Sequence, residues 1–210
     1  MDLTASPPSP GDPATGPLGA LQAAAVTGAE AVVLVAMLAV GLVILAYTVR
    51  TGVPPMPTRP GTRAALLRQL PRAVDGTVYD LGSGWGGLAL ALADRYPGNP
   101  VVGIELSPVP WLFARLRHAL RPRPNLVYRR ADLLAEPLGD AGAAVCYLMP
   151  SVMRRLGPKL TAELRPGMVV VSYSFAFDGW PPEIVAVDAE SGPEPIYRYR
   201  AGGAAGRVPA

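Results

Sequence analysis

The chain has 210 residues, enough for one domain and an appendage; half of them are hydrophobic and only 17% are charged, a low share for a soluble protein. The net charge is +3, and no basic run with interleaved aromatics appears, so there is no footprint of nucleic-acid binding. A single cysteine, Cys146, excludes an intramolecular disulfide and a cysteine-cluster metal site, and a single histidine, His118, argues against a histidine-rich metal site or a Ser-His-Asp triad, so no metal is expected.

Residues 1–28 are rich in Pro, Gly, Ala, Ser and Thr, with prolines at Pro7, Pro8, Pro10, Pro13 and Pro17, and read as a disordered tail. Residues 31–49 then run without a charge. As a helix that run is roughly 28 Å long, about one hydrocarbon core. It shows no polar stripe, and its acidic, distant start does not fit a cleavable signal peptide. A transmembrane helix over 29–50 is therefore expected. Arg50, Arg59, Arg63, Arg68 and Arg72 follow the run and no basic residue precedes it. The positive-inside rule then places the C-terminal part in the cytoplasm. The expectation is a single-pass protein of a bacterial inner membrane.

Residues 51–60 carry four prolines and read as a stiff linker. The remaining residues, 61–210, can bury a core of their own. A helix is expected near 62–72. Strands are expected near 77–81, 100–105, 125–130, 143–148 and 167–173, with helices near 86–96, 109–120 and 151–165 between them. Ser107 and Ser151 are expected helix N-caps. Two further strands are expected near 184–188 and 195–200. Alternating strands and helices, with continuous apolar strands, point to an α/β Rossmann-like fold.

The first strand ends in Asp80 and runs into Leu81-Gly82-Ser83-Gly84-Trp85-Gly86-Gly87. Glycines there let backbone N–H groups approach a ligand that a Cβ would hold off. The spacing suits two cofactors: G-x-G-x-x-G of dinucleotide sites and D-x-G-x-G-x-G of S-adenosylmethionine sites. Asp80 favours the second, because a pyrophosphate repels a carboxylate whereas the ammonium of S-adenosylmethionine attracts one. Glu105 ends the second strand about twenty residues on, where an acid accepts from ribose hydroxyls in either class. Asp132 ends the third strand, placed to accept from an adenine amino group or to cap the next helix. Ser83, Trp85, Gly86, Leu106 and Leu133 complete the expected cofactor set. Trp85 either covers the sulfonium by a cation–π contact or packs on the linker.

The fourth strand leads into Tyr147-Leu148-Met149-Pro150, whose end should face the reacting methyl group. Tyr147 and the carbonyls before Pro150 are the expected acceptor-side groups, with Tyr147 otherwise a packing residue. Cys146 reads as core filling and His118 as a helix-surface residue.

The order and spacing of these pieces resemble the membrane-anchored lysine methyltransferases related to the mitochondrial enzymes that act on ATP synthase subunit c and the adenine nucleotide translocase, and their bacterial relatives. The resemblance runs over roughly 30–190. It comprises the apolar anchor, Met56-Pro57-Thr58, the Asp80–Gly84 loop and Glu105 with Leu106-Ser107-Pro108 before a helix carrying Trp111, Arg115 and Arg117. It continues through Tyr147–Pro150 and Pro158-Lys159-Leu160 to Phe175, Phe177, Trp180 and Pro182. Trp85 stands where mitochondrial members commonly carry an acid, and Ser151 where a larger polar residue often follows; both departures bear on the substrate more than on the cofactor. The resemblance implies a seven-strand class I methyltransferase using S-adenosyl-L-methionine on a lysine of a membrane protein.

A lysine with a free pKa near 10.4 must lose its proton, which at neutral pH costs about 4 kcal/mol, and an apolar pocket lowers that cost. Phe175, Phe177 and Trp180 are the expected wall of such a pocket, which makes Tyr147, Pro150 and Trp180 the expected catalytic group. Two other readings stay open at this point: a methyltransferase acting on a membrane lipid or quinone, and a non-catalytic cofactor-binding membrane module. A nicotinamide oxidoreductase is disfavoured by Asp80, by Asp132 and by the lack of a second, substrate-binding domain.

Overall fold

The computed structural model describes residues 17–51, 56–187 and 192–202. The N-terminal helix α1 spans Pro17–Thr51, and within it Gly28–Arg50 is long and apolar enough to cross a membrane. The helix therefore starts well before the apolar run, and the tail expected over 1–28 is helical from Pro17 onward; residues 1–16 lie outside the described residues. The local reason is composition: Pro17 suits the first helical position, and the alanine-rich stretch after it contains no further proline. Of the expected linker, residues 52–55 lie outside the described residues, and Thr51 and Pro60 belong to helices.

Helix α2 spans Pro60–Gln69. It ends earlier than residue 72 because Leu70 precedes Pro71 and takes an extended backbone (φ −85°, ψ 149°). Then come β1 (Thr77–Leu81), α3 (Gly87–Arg95), β2 (Val101–Glu105), α4 (Pro108–Leu120), β3 (Leu126–Arg130), β4 (Ala141–Cys146), α5 (Pro150–Glu163), β5 (Val169–Tyr173), β6 (Ile184–Ala186) and β7 (Ile196–Arg200). The strands form one seven-stranded sheet in the order β3-β2-β1-β4-β5-β7-β6, with β7 antiparallel to both of its neighbours and the remaining pairs parallel. The seven-strand Rossmann-like α/β architecture expected from the sequence is the one observed.

Burial explains the strand compositions. Every residue of β1 and β5 is buried, as helix-covered parallel strands require, whereas the edge strand β3 buries only Leu126 and Tyr128. One face of the sheet packs with α2 and α3 through Leu66, Leu88, Leu92 and Val78. The other packs with α5 through Met153, Leu156 and Leu160, together with Tyr79, Phe177, Trp180 and Tyr199. Met153, Leu156 and Leu160 recur at helical spacing, so one stripe of α5 is buried. The N-cap of α5 is Met149, with Pro150 at the first helical position, and this corrects the expectation that Ser151 caps it. Ser107 does stand at the N-cap of α4, although its side chain makes no capping bond.

Between β1 and β4 the strand order reverses, and the chain leaves the two strands on opposite sides. Ligands of open α/β sheets bind in the crevice at such a point, at the carboxyl ends of the strands.

Candidate active site

A cavity of about 450 Å³ opens at the carboxyl ends of β1, β2, β3 and β4, within the range of small-molecule sites. Asp80, Gly82, Ser83, Gly84, Trp85, Glu105, Leu106, Asp132, Leu133 and Tyr147 line it. The sequence-predicted residues on four strand ends are thus brought to one place.

The loop after β1 is shaped by close approaches. Gly82 (φ +81°) and Ser83 donate their backbone N–H groups to the Ile104 carbonyl at 3.0 and 2.9 Å, which ties the loop to β2. A Cβ on Gly82 would lie 2.5 Å from Leu148 Cδ2. Gly86 caps α3 in the left-handed region (φ +77°) and a Cβ there would meet the Tyr128 hydroxyl, which donates to the Gly86 carbonyl at 2.7 Å. Gly86 therefore does not line the cavity, contrary to expectation; it seats the loop on β3 from beneath.

Glu105 sits between two backbone donors. Its Oε2 accepts from Gly84 N–H and its Oε1 from Ser107 N–H, both at 2.8 Å. The carboxylate is held over the loop with further lone pairs facing the cavity. Asp80 is fully buried at the end of β1. Burial pushes its pKa up to about 7, offset in part by a hydrogen bond from the Ala89 backbone in the first turn of α3 and reinforced by the nearby Glu105 charge. Among the described residues nothing hydrogen-bonds Asp80 Oδ2 or Ser83 Oγ, although both atoms are buried. Such orphaned polar atoms in a cavity wall are uncommon and mark a place for a polar ligand.

Asp132 lines the cavity, and its Oδ1 accepts from Leu134 N–H at 2.9 Å in a local turn; no helix follows it to be capped. The Trp85 ring packs edge-on to Phe113 of α4 with centroids 5.3 Å apart. Tyr147 lies one residue past β4, since that strand runs 141–146 rather than 143–148. Its ring packs edge-on against Tyr173, 4.9 Å away, and burial raises its hydroxyl pKa, so the phenol is neutral at physiological pH.

Three expectations on the acceptor side are corrected. Pro150 is exposed and does not line the cavity; it starts α5. The Met149 carbonyl before it already accepts from Val152 and Met153 in the first turn of that helix. Trp180 is buried in a cluster with Phe177 and Tyr199, at ring distances of 5.5 and 5.1 Å, and the Tyr199 hydroxyl accepts from Phe177 N–H. This cluster packs with the α5-side core and does not line the cavity. The spacing of two along a strand decides this: Tyr199 and Val170 face the α5 side, whereas Tyr173 and Ile196 pack with the opposite core. His118 and Cys146 are structural as expected. His118 Nε2 accepts from the Arg123 N–H at 2.9 Å, which fixes the end of α4, and Cys146 is buried among apolar neighbours.

Sequence reading missed Arg63 on α2, Arg117 on α4 and Arg155 on α5, which also line the cavity with Met56, Pro57 and Thr58. Arg63 reaches so close to the start of α3 that a Cβ on Gly87 would meet its Nη1 at 2.5 Å. The helical phase of α2 gave no sign of this, because Arg63 sits among other arginines that read as positive-inside charge.

A sheet of this order with a glycine loop, an acid at the end of each of β1 and β2 and a cavity above them defines a class I S-adenosylmethionine-dependent methyltransferase. A solved RNA methyltransferase from Salinibacter ruber, in complex with S-adenosyl-L-homocysteine, superposes with a TM-score of 0.65 at 28% identity, covering 73% of this chain and 97% of that one. The family model for the ANTKMT methyltransferase domain matches residues 80–184. A protein-lysine N-methyltransferase of Saccharolobus islandicus is 31% identical over 154 residues, 70% of this chain and 92% of its own length. The mouse adenine nucleotide translocase lysine N-methyltransferase is 39% identical over 138 residues, and the matched part is 56% of that enzyme. The chain belongs to the ANTKMT methyltransferase family.

Proposed function

We propose that the protein transfers a methyl group from S-adenosylmethionine to a lysine side chain of a membrane-associated protein, with its α/β domain on the cytoplasmic side of the membrane and tethered to it by the apolar helix. The observation that carries the reading is the cavity itself, which joins the buried Asp80 carboxylate with its unpartnered Oδ2, the Glu105 carboxylate and Tyr147 at one switch point. The protein-lysine relatives support the choice of acceptor, and the charge-free span within Gly28–Arg50 supports the tether.

The lining residues fit the methyl donor. Asp80 would hold its ammonium, with Arg63 and the N–H groups at the start of α3 available to its carboxylate. Glu105 would accept from the ribose hydroxyls while keeping Gly84 in place. Asp132, Leu106 and Leu133 would take the adenine, and Ser83 and Trp85 would complete the wall. The bound donor supplies a sulfonium-activated methyl group.

The chain then has two tasks. It aligns the acceptor nitrogen with that methyl, and it favours the neutral amine. Tyr147 stands at the end of β4 to orient the amine through its neutral hydroxyl. Leu148, Met149 and Val152, together with Met56 and Pro57, supply the apolar surface that disfavours an ammonium. This set takes the part that Phe177 and Trp180 were expected to play. Proximity and desolvation then carry the rate, because among the described residues no side chain is positioned as a strong base.

Incubation of the protein with membranes and methyl-labelled S-adenosylmethionine tests the reading. Label recovered as methyl-lysine after protein hydrolysis supports it. Label confined to lipid or to RNA, or no transfer, contradicts it.

A further inference from the structure

The outer face of α4 is more apolar than a water-facing helix should be. Leu112, Phe113, Leu116 and Leu120 are 51%, 48%, 59% and 84% exposed. At 3.6 residues per turn they share one arc, and the opposite side buries Pro110 and Ala114. Residues 108–120 contain no acid. Arg115 and Arg117 border the arc on its two sides, and Arg121 follows at the C-cap. Phe113 meets Trp85 of the cavity wall edge-on, so the arc runs on to the mouth of the site.

A solvated surface helix has the reverse pattern, charged outside and apolar inside. An exposed apolar arc edged by arginines is the pattern of a helix that lies in a lipid headgroup layer.

We infer that α4 docks this face into the headgroup layer of an anionic bilayer and so holds the cavity mouth at the membrane surface. The inference rests on the proposed tether. Ten peptide bonds separate Arg50 from Pro60, a length that spans at most about 36 Å. A domain on so short a leash meets the bilayer continually, so even a weak surface affinity keeps it docked. The charge agrees: an acid-free helix with arginines at its edges attracts the anionic lipids of a cytoplasmic leaflet. A second copy of the chain fits poorly, because a two-fold contact through this arc would bring arginines against arginines. Docked in this way, the site takes its acceptor lysine from headgroup depth and not from deep water.

The test uses the full chain in nanodiscs of phosphatidylcholine, with or without phosphatidylglycerol. Leu116→Cys carries an environment-sensitive fluorophore in one sample, and Leu38→Cys carries it in another. Cys146 is buried, and burial pushes its thiol pKa far up, so it stays unlabelled. The docking predicts that a lipid-borne quencher reaches both probes and that aqueous iodide reaches neither. It also predicts deeper quenching at position 116 with phosphatidylglycerol, reduced at least twofold by Arg115→Gln with Arg121→Gln. If lipid quenches position 38 while iodide alone quenches position 116, the docking is wrong and the tether stands. If lipid quenches neither, both are wrong. If position 116 is shielded from both quenchers, the face is covered by protein, which also overturns lipid docking.

Discussion

Glu105 and Gly84 are joined across 21 residues of sequence by a 2.8 Å hydrogen bond from the loop amide to the carboxylate at the end of β2. The same carboxylate is the proposed ribose acceptor, so loop shape and cofactor affinity share one group. Glu105→Ala should weaken S-adenosylmethionine binding by about 1–3 kcal/mol, the range for losing charged hydrogen bonds and leaving partners unpaired. Glu105→Gln, which retains one acceptor oxygen, should lose less. Calorimetry on both variants checks the order; equal affinity for Ala and wild type would remove Glu105 from the site.

Asp80 sets a pH dependence. Its pKa in the folded protein, about 7, lies above the ordinary value of 3.8, so the fold favours the protonated carboxyl. The stability it contributes is complete below about pH 4 and is lost as pH rises through 7, a loss on the order of 4 kcal/mol. Asp80→Asn should therefore raise the thermal stability of the ligand-free protein at pH 8 and change it little at pH 4.

The cofactor should respond in the opposite sense. An ammonium facing Asp80 favours the carboxylate, so affinity for S-adenosylmethionine should rise severalfold between pH 6 and pH 7.5. It should level off near pH 8, where an α-amino group begins to lose its proton. Asp80→Asn should flatten that rise, as measured by binding isotherms across the range.

Trp180 and Phe177 illustrate where the sequence misled. Their spacing after β5 matches the resemblance, and the carboxyl end of β5 lies on the site side of the sheet. What the pattern did not reveal is which face of the sheet takes them, because β7 enters antiparallel and its Tyr199 fills the α5 side. Trp180→Ala should cost about 3–5 kcal/mol of stability, seen as an earlier melting transition. The folded fraction should transfer methyl at close to the normal rate; a large rate loss at unchanged stability would return Trp180 to the acceptor pocket.

The parts of the fold legible in the sequence were those fixed by local pattern. Thr77–Leu81 falls on the expected strand because five buried residues run into a glycine loop, and Asp80 and Glu105 followed from that loop's position. β4 was misjudged at both ends, since Ala141–Ala144 lacks β-branched residues and its strand pairing comes from β1 and β5. Arg63 was hidden for a different reason. Its role depends on how α2 packs beside α3, a tertiary fact with no local signature.

Replacing residues 31–49 by a Gly/Ser linker should release the protein from membranes and leave methyl-donor binding intact, because the cavity residues all lie beyond that run. Sedimentation with vesicles and calorimetry on the same preparation check both halves. Weak residual binding to anionic vesicles alone fits the docking of α4. Retention as tight as wild type on neutral vesicles would contradict the tether.

A crystal structure of the full chain with S-adenosyl-L-homocysteine should place the ammonium within hydrogen-bond reach of Asp80, the ribose hydroxyls on Glu105 and the sulfur pointing toward Tyr147. A ligand bound away from the β1–β4 switch point, or one with its sulfur turned away from Tyr147, would contradict the proposed site.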